Sequence, residues 1–152
     1  RCCENHRMSV KRLTPKGHAD AFVDKQMSRK RAAIIELYKM VGEEALTIAR
    51  TRHKYTRQTG NLTSSIGYCI IDDGKVIVES SFEVVGGGKK GAEEGSKFLR
   101  KLISENSDGI KFIMVAGMNY AAYVEAMSLD VMESAELFVR NELPKILKAI
   151  RI

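Results

Sequence analysis

Gly86, Gly88 and Gly91 stand at the spacing of a dinucleotide-binding loop, Gly-x-Gly-x-x-Gly, with Lys89 and Lys90 inside it. In that setting backbone N–H groups at a helix N-terminus hold a pyrophosphate, and the glycines let the main chain come close to it. Here the segment before the glycines reads as half of a hairpin and only one crossover helix follows, so the parallel unit that uses such a loop is missing. The Gly-Lys-Ser/Thr ending of a P-loop is missing as well. Five glycines in the twelve residues Gly86 to Lys97 read instead as a mobile surface loop. Cys2, Cys3 and His6 come nearest to a metal set, but zinc takes about four ligands at workable spacing. Cys69 alternates with apolar neighbours and reads as a small buried hydrophobe. The histidines His6, His18 and His53 form no Ser–His–Asp set and no His-x-x-x-His pair. The acid pairs Glu43-Glu44, Asp72-Asp73 and Glu93-Glu94 read as solvated charge on helix surfaces, turns and loops. The expectation is a protein without catalytic residues, metal or cofactor.

Phosphate contact is the remaining chemistry to weigh. The net charge is +6, and it is uneven: residues 1–58 carry 14 Lys and Arg against 6 Asp and Glu, whereas residues 59–152 carry 11 against 13. Arg29, Lys30 and Arg31, then Arg50, Arg52, Lys54 and Arg57, are the residues that would meet phosphates or an acidic partner. Tyr38 and Tyr55 are the only tyrosines nearby, which is thin provision for stacking on bases. A small basic nucleic-acid-binding protein is therefore the alternative reading, beside the plainer one of exposed charged helix faces.

The elements that carry these residues follow from periodicity. A chain of 152 residues with 44% hydrophobic content forms one domain with its own core. Residues 1–18 lack apolar periodicity and read as a flexible basic arm, leaving 19–152 as the domain. A helix is predicted from Asp20, its N-cap, to His53, with Val23, Met27, Ile34, Tyr38, Val41, Ala45 and Ile48 on one buried stripe. At 1.5 Å per residue it would run ~50 Å, long enough that part of it meets another subunit. Gly42 is its expected bend. Ile66–Ile71 and Val76–Phe82, joined by Asp72-Asp73-Gly74-Lys75, predict a hairpin. A short amphipathic helix with Phe98, Leu99, Leu102 and Ile103 inward, a strand from Ile110 to Ala116 and a helical turn from Tyr120 to Ala126 come next. A last helix from Leu129 to Ile150 should kink or restart at Pro144. The fold class is α+β: long N-terminal and C-terminal helices packed on one face of a small, mainly antiparallel sheet built around the hairpin, with the Gly-rich loop and short helix inserted. No apolar run reaches the ~20 residues that cross a bilayer, so no membrane contact is expected.

Two phrases remain. Thr59-Gly60-Asn61-Leu62-Thr63-Ser64-Ser65-Ile66 reads physically as a helix-to-strand turn, in which Gly60 and Asn61 end the long helix while Leu62 and Ile66 anchor inward. Asn119-Tyr120-Ala121-Ala122-Tyr123-Val124-Glu125 reads as two core-edge tyrosines with wetted hydroxyls and a solvated glutamate. In this order, from about residue 20 to the end, the pair resembles the head–tail joining (tail-completion) family of long-tailed bacteriophages. Two positions depart from that family's pattern: Thr63 replaces an arginine, and Ala126-Met127-Ser128 replaces an aromatic residue followed by Gly-Thr. The resemblance implies a non-enzymatic virion component, made in the bacterial cytoplasm. It would form a homo-oligomer, as a ring, between the connector and tail-tube proteins, with passing contact to DNA. It also implies interface or motif roles for Thr59, Gly60, Asn61, Leu62, Ser65, Tyr120, Tyr123 and Glu125, the last three near a sheet edge or subunit contact.

Overall fold

Every residue of β1 (Ile66–Asp72) except the last is buried, and the rest of the protein is arranged to make that possible. The structure, a computed structural model, describes residues 17–56 and 58–149. β1 lies in the middle of a three-stranded sheet of order β2-β1-β3, with β2 at Lys75–Glu79 and β3 at Ile110–Ala116. Both neighbours are antiparallel to it; the β3 register runs from Ile66 opposite Ala116 to Asp72 opposite Ile110. Asp73 and Gly74 both have positive φ, 48° and 77°, which is the two-residue turn whose twist suits a hairpin. Phe82 lies beyond the end of β2.

The sequence predicts helices on one sheet face; the structure covers both. On one face, Ile66, Tyr68 and Ile70 pack with Ala45, Leu46, Ile48 and Ala49 of α1 (His18–Thr51) and with Val131 and Ala135 at the start of the C-terminal helix. On the other, Cys69 and Ile71 pack with Leu99, Val115, Phe82, Leu102 and Ile103. Alternating side chains of one strand thus enter two cores, each large aliphatic contributing roughly 1.5–3 kcal/mol. Cys69 is fully buried, and burial, then the nearby Glu79 charge, pushes its thiol up to about 11.

The second core exists because the Gly-rich segment folds. Gly86 and Gly87 form a turn at positive φ, and α3 occupies Lys89–Glu105. The expected mobile loop from Gly86 to Lys97 is thereby overturned. Gly91 and Gly95 are buried on its inner side, where a Cβ would stand 1.9 Å from the Asn61 carbonyl oxygen and 2.5 Å from that of Ser65. Glycine here allows backbone to lie on backbone. Of the predicted inward set, Phe98 turns out 42% exposed.

α1 differs from its sequence reading in three ways. Its N-cap is Gly17 at φ 85°, and Asp20 sits inside the first turn, favourably placed against the helix dipole. The helix therefore starts within the segment assigned to the arm. Val23 and Met27, predicted buried, are each 55% exposed. Gly42 marks no break in the helix; it is buried, and a Cβ there would meet the Tyr68 ring at 2.6 Å.

Tyr68 fills that notch. Its ring lies 5.4 Å from that of Phe112, and its hydroxyl donates to Glu43 Oε1 at 2.6 Å. Glu43 is therefore bonded, not merely solvated. Burial, then the bond to Glu43, raises the phenol above its ordinary range. The stabilising contribution is full below the ordinary tyrosine value of ~10 and lost as pH rises past it. Tyr68→Phe should cost about 1–2 kcal/mol. Above pH ~10, wild type and variant should give the same phenolate absorbance while folded; a larger native signal from wild type would show Tyr68 ionising in place.

The C-terminal helix α5 (Glu133–Ala149) runs on through Pro144 without a restart. It starts later than the predicted Leu129. Phe138, Val139, Leu143, Ile146 and Leu147 are half-buried. Ile150 and the arm residues 1–16 lie outside the described residues.

Candidate functional site

The two phrases meet in space. Thr59, Gly60, Asn61, Leu62 and Thr63 form one wall of an open cleft of about 400 Å³, and Tyr120 and Val124 form the other, with Tyr55 and Leu129 also lining it. Thr59 and Tyr120 stand 61 positions apart in the sequence.

The first wall differs from the predicted turn. The long helix ends at Thr51, and Gly60, at φ 71°, is the N-cap of a separate one-turn helix, α2 (Asn61–Ser64), which then enters β1. A Cβ on Gly60 would lie 1.8 Å from the Val85 carbonyl oxygen. Leu62 and Ile66 are buried as anchors. Thr59 Oγ1 accepts from the Asn61 N–H at 3.4 Å. Asn61 Oδ1 accepts from the Gly91 N–H at 3.2 Å, and so satisfies one of the donors at the start of α3. Ser65 is fully buried; its hydroxyl donates to the Leu62 carbonyl at 2.8 Å and its own carbonyl accepts from Gly117 N–H. The phrase is a knot tying α2 to α3 and β3. It also lies against the Gly-rich turn: a Cβ on Gly88 would stand 2.5 Å from the Gly60 carbonyl oxygen.

The second wall belongs to α4 (Ala121–Ala126), with Tyr120 at its N-cap. Tyr120 is 38% and Tyr123 68% exposed, so Tyr123 is not the core-edge ring the sequence suggests. Tyr123 and Ser65 do not line the cleft. Glu125 is the larger surprise. Its carboxylate accepts from the N–H groups of Val131, Met132 and Glu133, the last two at 3.2 and 2.8 Å. It caps α5, and is neither a free surface charge nor part of the cleft. Asp130 adds to the cap by accepting from Ser134 N–H at 2.9 Å and from its hydroxyl. An Asp four residues before a Ser at the head of a helix is a signal the sequence offers; a glutamate reaching forward from another helix is not.

The basic residues do not form one patch. Arg31 pairs with Asp72 and, at 2.7 Å, with Asp73 at the hairpin tip. Arg50 is half-buried, donating to the carbonyls of Ile66 and Ser81 at 2.9 Å and pairing with Glu83 at 3.5 Å. Both are engaged by partners within the fold, Arg50 half-buried and Arg31 at the surface. Arg29, Lys30, Arg52 and Lys54 are exposed, but Lys30 and Arg52 are separated by ~33 Å of helix at 1.5 Å per residue. Arg57 lies outside the described residues.

Asp73 also accepts from the Gly109 N–H at 2.9 Å. That bond first, and the Arg31 charge second, hold its carboxyl below the usual range. A depressed carboxyl stabilises above its unfolded value of ~4 and loses that contribution as pH falls through the folded one. Asp73→Asn should flatten the acid limb of a Tm-against-pH curve; an unchanged limb would mean that other carboxylates set it.

No protein-family model, curated protein or solved structure matches this chain. Among the described residues no helix is long and apolar enough to cross a membrane, and no group of three or more His, Cys, Asp or Glu is placed to hold a metal. Cys2, Cys3 and His6 lie outside the described residues. The cleft presents hydroxyls and amides on one wall and an aromatic edge on the other; Tyr123 and Met127, 47% exposed, belong to α4 and its C-cap.

Proposed function

We propose that this protein is a structural component of a phage or prophage virion. It acts at the head–tail junction in tail completion and head–tail joining, through protein–protein contacts and a homo-oligomeric ring. The observation that carries this reading is the convergence of the two family-like phrases on one cleft, since residues kept together by a shared docking surface need not be close in sequence. Exposed apolar side chains add support: Phe22, Val23 and Met27 on the first half of α1, Val76 and Ile77 on the edge strand β2, and Tyr123 and Met127 on α4 and its C-cap. Such groups on one small protein suit burial in an assembly. The experiment is co-expression with the connector and tail-tube proteins encoded in the same genome, followed by co-purification and imaging. Ring-shaped particles joining the three are expected. Failure to bind either neighbour would sink the reading.

The nucleic-acid alternative loses ground because Arg31 and Arg50 are engaged within the fold, and the exposed Arg29 and Lys30 lie in the first half of α1 while Arg52 and Lys54 lie past its far end. Phosphate binding weakens log-linearly with salt, so a DNA titration at two salt concentrations separates the readings.

A further inference from the structure

The first thirteen residues of α1, His18 to Lys30, are exposed except for a half-buried Gln26. Val23 and Met27 are each 55% exposed there, on the helix face that continues down to the buried Val41, Ala45 and Ile48. An apolar stripe that is core in one half of a helix thus runs uncovered along the other half. The root of this overhang is fixed, because Arg31 holds it to Asp72 and Asp73. It presents a pre-set surface.

Charge along the overhang is polarised. Asp20 and Asp24 lie toward its tip, and Arg29 and Lys30 toward its root. Asp20, Asp24 and Lys30 have no ion-pair partner among the described residues. Lys30 falls on the stripe itself, two turns beyond Val23. Two overhangs laid parallel would set acid on acid and base on base. Laid antiparallel about Lys25, they bring Val23 of each copy to Met27 of the other and Asp20 to Lys30.

We infer that the overhangs of two copies pair antiparallel about a two-fold axis, with Val23 and Met27 as the apolar centre and Asp20 and Lys30 as reciprocal ion pairs. The contact is isologous and closes on itself. A contact that closes at two copies does not propagate a ring, so it belongs to the free protein and leaves the cleft and the β2 edge for the proposed assembly. It goes beyond the assembly reading, and its test needs no neck protein. Thirteen residues a side bury less than the ~1,200–2,000 Å² of a standard interface, so the dimer is weak and concentration-dependent.

Sedimentation equilibrium of the full chain at low salt should show a monomer–dimer equilibrium. Asp20→Lys should weaken it about tenfold, because symmetry turns two attractive pairs into two repulsive ones. The exchanged variant Asp20→Lys with Lys30→Asp should restore it to within about threefold. Val23→Asp with Met27→Asp should abolish it. All four positions are exposed, and far-UV circular dichroism checks that each variant folds. A monomer at every concentration, a dimer indifferent to Val23→Asp with Met27→Asp, or an exchanged variant no better than Asp20→Lys would each overturn the inference. A protein that dimerises this way but binds no connector or tail-tube protein would sink the neck reading alone.

Discussion

Gly60→Ala is expected to lose a large share of the protein's stability. Two penalties fall on one methyl group. The backbone at Gly60 has φ 71°, and holding a residue with a Cβ there costs about 1 kcal/mol. The Cβ would also stand 1.8 Å from the Val85 carbonyl oxygen and 2.7 Å from its carbon. Main-chain atoms cannot swing aside as a side chain does, so α2 must separate from the Val85–Gly88 turn. That movement strains the Asn61 bond to Gly91 and the Ser64 hydroxyl bond to the Val85 N–H at 2.8 Å. A loss of about 3–5 kcal/mol is expected, against a total of 5–15 kcal/mol for a typical domain. Gly87→Ala is the matched control, since Gly87 has φ 87° with nothing within 4 Å of its would-be Cβ; it should lose about 1 kcal/mol. Urea midpoints at unchanged slope provide the comparison. Equal losses in the two variants would show that backbone angle, not crowding, makes Gly60 matter.

Glu125→Ala is expected to destabilise by about 2 kcal/mol, the upper end for a lost helix cap. The carboxylate satisfies three consecutive N–H groups at the head of α5, and a negative charge there also opposes the positive helix end. Glu125→Gln keeps one acceptor oxygen and loses the charge, so it should fall about midway. Hydrogen exchange gives the local readout. Amides of Val131, Met132 and Glu133 should lose protection in the variant while those of β1 keep it relative to the lowered global stability. Unchanged protection at 131–133 would mean that Asp130 alone caps the helix.

The sequence carried the hairpin, β3 and the placement of α4, because each has a local cause: Asp-Gly at the turn and apolar runs bounded by turn residues. It also carried the coarse fold class. It did not carry α3 beyond its second half. Glycine has poor helix propensity, so Gly91 and Gly95 argue for a loop until it is seen that α2, 30 residues earlier, needs to lie against them. The same non-local cause explains Gly42, where flexibility was the local reading and the Tyr68 ring is the real reason. Helical periodicity marked Val23 and Met27 as core, and it registers a face without saying whether anything lies opposite. At the candidate site, the phrases stood out as text, whereas Tyr55, Leu129 and the cap formed by Glu125 depend on the chain folding back.

The overhang gives one helix two different stabilities. From Val41 to Ala49 its turns are locked by side chains in the core. From His18 to Lys30 they persist only as an extension of those locked turns, in a stretch about as long as the shortest peptides that hold helix alone in water. The outer turns therefore depend on the locked ones for their stability. A contact that buries Val23 and Met27 would stabilise those turns in its own right.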